Sequence, residues 1–171
     1  TIVVVHAGRE FIPVPPPYVR AAYRALADAG ASIVIGHHPH VPQGIELWNG
    51  VPIAYSLGNF VFRTGSNVSF RRLGYLLQIE LSGTGVVAFE LKPYETGESG
   101  PRLLDYARRA DFLAELEAIS EHIASPFIEE FWDAYADLWW QSRFPKELVS
   151  FAMLMSWQDW VRAIRHRIWM D

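Results

Sequence analysis

The chain has 171 residues, enough for one domain with a substantial core and room for a small appendage. Half are hydrophobic and a fifth charged, which excludes a disordered chain, and a net charge of −4 without a long basic run argues against a protein built to grip nucleic acid. The absence of cysteine excludes disulfides and thiolate metal sites but leaves the compartment open.

Thr1-Ile2-Val3-Val4-Val5 opens inside an apolar run with no initiator Met, the pattern of a cropped piece, so a missing signal peptide says nothing about export. The β-branched run Ile2 to Val5 predicts a strand buried on both faces, ending at His6-Ala7-Gly8-Arg9-Glu10. After a Pro-rich stretch, Pro17 is placed to open a helix with Val19, Ala22, Tyr23 and Leu26 on one face and Gly30 as its stop. A second buried strand, Ala31 to Ile35, ends at Gly36-His37-His38-Pro39-His40 and completes one βαβ unit. Two antiparallel hairpins follow. Ile45–Trp48 and Val51–Ser56 flank Asn49-Gly50, and Leu73–Leu81 and Val86–Leu91 flank Gly83-Thr84-Gly85. Between them the polar stretch from Arg63 to Ser69 reads as a mobile loop.

Residues 1–95 are thus expected to form one domain, 96–102 a linker, and 103–171 a helical extension with segments at 103–123, 126–140, 145–155 and 157–169. No segment reaches the roughly 18 apolar residues needed to span a bilayer. Trp157, Trp160, Val161, Ile164 and Ile168 share an apolar face, but Arg162, Arg165 and Arg167 are spread around it. That distribution favours packing on the domain over lying on a membrane surface.

Four of the six histidines lie between residues 6 and 40, each where a strand has just ended. A right-handed βαβ crossover brings both carboxyl ends to one edge of the sheet, where open α/β sheets bind ligands. His6 and the His37-His38-Pro39-His40 loop therefore share a crevice. Imidazole suits zinc and iron, and carboxylates add manganese to the range of divalent ions. Pro39 is expected to bias His38 towards an extended conformation, so that His38 and His40 present two nitrogens. Glu10 offers a carboxylate ligand or a general base, Arg9 a grip on an anionic group. For these two an ordinary ion pair is an equal alternative, and for Asn59 in Tyr55-Ser56-Leu57-Gly58-Asn59-Phe60 a structural turn is the simpler reading.

His6-Ala-Gly-Arg-Glu10, then Asp28-Ala-Gly-Ala-Ser-Ile-Val-Ile-Gly-His-His-Pro-His-Val41, Gln43-Gly44 and Tyr55-Ser-Leu-Gly-Asn-Phe60, resemble the bacterial capsule-synthesis CapA (poly-γ-glutamate biosynthesis) family over roughly residues 1 to 92. The resemblance implies the C-terminal half of a metallophosphoesterase-like α-β-β-α sandwich, here one βαβ unit plus antiparallel hairpins followed by a helical tail. It implies divalent metal ions (Zn, Mn or Fe) held by His6, His38 and His40. His37 and Glu10 become the candidate catalytic residues, and Arg9 and Asn59 the candidate substrate contacts. Ala7 departs from the family, which usually has Trp after the first histidine. The family's Gly-Asp, Asn/Glu and Asn-His elements, which complete the metal site, belong to an N-terminal half. The implied activity is metal-dependent hydrolysis or transfer at a phosphoester or related acyl centre, on an anionic polymer or phosphoester substrate in the cell envelope. The rival is a non-catalytic polymer-binding or assembly component of an envelope biosynthesis complex.

Overall fold

Ile2–His6 (β1) and Ile33–His37 (β2) lie side by side and parallel, joined by the helix Pro17–Asp28 (α1). The computed structural model describes residues 1–62, 71–83 and 85–143, which form a mixed α/β fold. The hairpin Ile45–Trp48 (β3) and Val51–Ala54 (β4) completes the first sheet in the order β1-β2-β4-β3, with β4 parallel to β2. Leu73–Ser82 (β5), Gly85–Gly97 (β6) and Gly100–Leu103 (β7) form a second, antiparallel sheet. Two helices follow, Tyr106–Ala124 (α2) and Ile128–Arg143 (α3).

Local chemistry explains most of these elements. Pro17 supplies the fixed φ of a first helical turn, and α1 buries Val19, Tyr23 and Ala27, spaced four apart. Ala22, expected on that face, is exposed, because the stripe follows the i, i+4 row. Asn49 and Gly50 have φ of 49° and 83°, the left-handed pair that a two-residue type I′ hairpin turn requires. Asp28 Oδ1 accepts from Trp48 Nε1 at 2.9 Å and Asn49 Nδ2 at 3.0 Å, tying that turn to the end of α1. Gly36 is required by close approach: a Cβ there would overlap the Tyr55 carbonyl oxygen and lie 2.8 Å from the Tyr23 ring.

Three expectations need correction. β1 is not buried on both faces. Val3 and Val5 pack against the core, while Ile2 and Val4 on the other face are exposed. The strand is an edge of its sheet, and nothing among the described residues covers that second face. Residues 96–102 are not a linker: Thr96 pairs with Pro101 and Gly97 with Gly100 in a tight β6–β7 hairpin. Its Gly-Glu-Ser-Gly composition suits a turn as well as a tether, and Gly100 takes the positive φ. The following helix starts at Tyr106, not Leu103, where the Asp105 carboxylate accepts from Arg108 N at 3.0 Å as an N-cap.

The helical region also closes the core. Phe112, Leu116, Ile119 and Ile123 of α2 are buried in one cluster with Val34, Ile53, Tyr55 and Tyr75 of the two sheets. Burial of each such side chain contributes about 1.5–3 kcal/mol, so α2 is a layer of the domain. Beneath α1, the buried Glu46 carboxylate accepts from Tyr55 Oη at 2.8 Å and from the Arg24 guanidinium, which lies 3.9 Å over the Trp48 ring. The expected helices at 145–155 and 157–169 and the loop at 63–69 lie outside the described residues.

Candidate metal centre

The sheet sets the first distance. β1 and β2 are direct neighbours, His6 and His37 are register partners, and Ala7 N donates to His37 O at 3.0 Å just past the strand end. The chain then folds back. His38 and His40 have φ of 105° and 60°, so His38 is not extended as its position before Pro39 led us to expect. The reason lies across the crevice: Phe11 N donates to Pro39 O at 2.7 Å, and a Cβ at Gly8 would sit 3.3 Å from the Pro39 ring. Docking on the exit of β1 holds Pro39 and forces the residue before it into a sparsely populated conformation, at about 1–3 kcal/mol.

That fold-back brings His38 Nδ1 to 3.2 Å from His6 Nε2, with ring centroids 5.0 Å apart. Such a separation allows a hydrogen bond if one ring donates. It is also the spacing of two nitrogens on one ion, since metal–nitrogen distances of ~2.0–2.1 Å at a tetrahedral angle give about 3.3 Å. The pair therefore fits a shared cation. Among the described residues, no group of three His, Asp or Glu side chains stands in metal-holding geometry.

His40 sits beside this pair, its ring centroid 5.9 Å from that of His38. Its Nδ1 lies 2.8 Å from Asn59 Oδ1, and the Phe62 ring is tilted over it at a centroid distance of 5.1 Å. Asn59, expected as a substrate contact, is only 4% exposed. Its side chain is engaged with the protein, since Nδ2 donates to the carbonyls of His40 at 3.1 Å and Arg71 at 3.2 Å.

A cavity of about 460 Å³ opens over these groups, lined by His6, His37, His38, His40, Asn59 and apolar residues including Phe62. Burial lowers the His37 pKa below the usual histidine value, and the neighbouring His6 adds to the effect. Arg9 and Glu10 are exposed on the turn after β1 and are not part of the cavity lining. Sequence reasoning missed the apolar wall of Phe60, Val61 and Phe62 and the β6 residues behind it, Tyr94 and Thr96. The alternation Tyr94-Glu95-Thr96 was the available signal, since it puts Tyr94 and Thr96 on one face of a strand.

Residues 1–64, which contain all these histidines and Asn59, match the family described as bacterial capsule synthesis protein PGA_cap. Over that stretch the chain is similar to the family, and relatives named for capsule and PGA biosynthesis extend the similarity to about 100 residues. It is 45% identical over 102 residues to the PGA biosynthesis protein CapA of Bacillus subtilis (strain 168), a match covering 58% of this chain and 26% of that protein. It is 37% identical over 101 residues to the capsule biosynthesis protein CapA of Bacillus anthracis, covering 59% and 24%. A probable polyglutamine synthesis accessory protein of Mycobacterium tuberculosis is 33% identical over 98 residues, covering 54% and 26%. The chain thus spans about a quarter of the length of the curated relatives it matches. Among the described residues, no helix is long and apolar enough to cross a membrane.

Proposed function

We propose that this chain supplies part of a metal-dependent hydrolase or transferase of capsule or poly-γ-glutamate biosynthesis, acting at a phosphoester or related acyl centre within a metallophosphoesterase-like sandwich. The observation that carries the proposal is the 3.2 Å approach of His6 Nε2 to His38 Nδ1 at the shared carboxyl edge of β1 and β2. His6 and His38 would hold the ion as a pair, with His40 beside them as the third nitrogen donor. A four-coordinate site needs at least one donor more. Bound there, a divalent metal would activate water and stabilise developing negative charge. His37, lining the same cavity, would exchange a proton with the substrate. Arg9, exposed beyond β1, would steer an anionic group towards the cavity mouth, and Glu10 would act there only if substrate brought the turn inward.

The test is metal content by mass spectrometry on the full-length protein, comparing wild type with the His6→Ala, His38→Ala double variant. Stoichiometric transition metal that disappears in the variant supports the reading and directs activity screens to phosphoesters and γ-glutamyl polymers. A folded wild type that binds no metal when supplied with Zn, Mn or Fe sinks it.

A second reading is a non-catalytic polymer-binding or assembly component of an envelope machine. One observation favours it: the Mycobacterium tuberculosis relative is named an accessory protein. Metal bound stoichiometrically without turnover of any phosphoester or γ-glutamyl substrate would select it.

A further inference from the structure

Asn59 is held from behind by the second sheet. Its carbonyl oxygen accepts from Tyr94 Oη at 3.1 Å and Thr96 Oγ1 at 3.3 Å, and Thr96 Oγ1 also donates to Phe60 O at 2.7 Å. The orientation of its amide is then settled by its neighbours. Nδ2 faces two backbone carbonyls, those of His40 and Arg71, which can only accept. A flipped amide would set Oδ1 against both, lone pair to lone pair. Oδ1 is therefore the atom 2.8 Å from His40 Nδ1, and the proton between them belongs to the imidazole.

We infer that Asn59 is a positioning residue that fixes His40 in its Nδ1–H tautomer, with Tyr94 and Thr96 of β6 as its buttress, so that Nε2 keeps the lone pair. The use made of that lone pair, as a ligand or as a base, rests on the reading proposed above; the tautomer itself does not. Metal-bound histidines commonly donate their second ring nitrogen to such an acceptor, which raises basicity and fixes the ring. Asn59 thus acts through His40 and not by touching substrate.

The experiment is long-range proton–nitrogen NMR on ¹⁵N-histidine-labelled, metal-free full-length protein, at a pH where the ring is neutral, with His40 assigned by its loss in His40→Gln. Wild type should show Nδ1–H. Asn59→Asp keeps an acceptor at the same place and should keep the tautomer. Asn59→Leu removes it and should move His40 towards the Nε2–H form. Both variants lose the two Nδ2 donations, and Asp also sets a carboxylate oxygen against those carbonyls, so a merely structural role would disturb Asn59→Asp at least as much as Asn59→Leu. Metal affinity should fall about 10–100-fold in Asn59→Leu and recover in Asn59→Asp. Nε2–H in the wild type overturns the inference, whether or not the variants fold, and so does an unchanged tautomer in Asn59→Leu. The expected tautomers in a protein that binds no metal support the inference and remove only the metal reading.

Discussion

Replacing Glu46 by Leu tests how the first sheet is tied to α1. The Glu46 carboxylate is 7% exposed and accepts from the Arg24 guanidinium and from Tyr55 Oη, while Tyr55 itself is fully buried and stacked on Tyr23. Removing the acceptor leaves a buried hydroxyl without its partner, a cost of about 1–3 kcal/mol. It also leaves the Arg24 charge unpaired. Breaking one side of a buried pair costs about 3–5 kcal/mol in all, and Arg24 falls at the low end because its side chain is 18% exposed and rests on Trp48. Leucine returns about 1 kcal/mol of apolar burial. The expected net loss is about 3–4 kcal/mol, read as a drop in the urea midpoint of about 2 M for an m-value of about 2 kcal/mol/M. Adding Arg24→Met should restore most of it, because the stranded cation goes with its partner. A single-variant loss under about 1 kcal/mol, or a double variant no more stable than the single one, refutes the reasoning.

Gly36→Ala should destabilise by about 3 kcal/mol, the upper end for overpacking, because the new methyl meets the Tyr55 carbonyl and not a side chain that can yield; thermal unfolding of the soluble variant measures it. Asn49→Ala should cost about 1 kcal/mol, from a left-handed φ of 49° and the lost bond to Asp28, and urea unfolding should show the shift without a change in m-value. Burial pushes Tyr23 and Tyr94 up to about 12 and raises Tyr55 and Tyr75 as well. The folded state binds those protons more tightly than the unfolded chain, so their contribution is complete below about pH 10 and is lost as pH rises from there through about 12, by roughly 1.4 kcal/mol per pH unit for each tyrosine. Tyrosinate absorbance should therefore appear with alkaline unfolding for these four; normal titration near 10 in a protein still folded by circular dichroism would contradict the burial argument.

The elements legible in the sequence were those whose signal is local. Asn49-Gly50 forces its turn wherever it falls, Pro17 fixes the start of α1, and two β-branched runs ending in histidine can meet at one sheet edge only if the strands are parallel. Long-range contacts decided the rest. His38 obeys the packing of Pro39 on Gly8 and the Phe11 amide instead of the preference of a pre-proline residue, and nothing near it in sequence signals that. Thr96 read as part of a tether because its Gly-rich neighbours describe a turn and a linker equally well, whereas its hydroxyl reaches back 36 residues to Phe60. Asn59 read as a turn residue for the same reason: its partners, His40 and Arg71, are distant in the chain and close only after the two sheets come together.

Both flanks of the stretch 63–70 are anchored at the histidines. Phe62 leans on His40, and the Arg71 carbonyl takes a hydrogen bond from the amide that orients that ring, while the Arg71 guanidinium lies 3.8 Å over Phe11. A change at Phe62, Phe11 or Arg71 would therefore be felt at the His40 ring, so the orientation of that imidazole is shared among residues far apart in the chain.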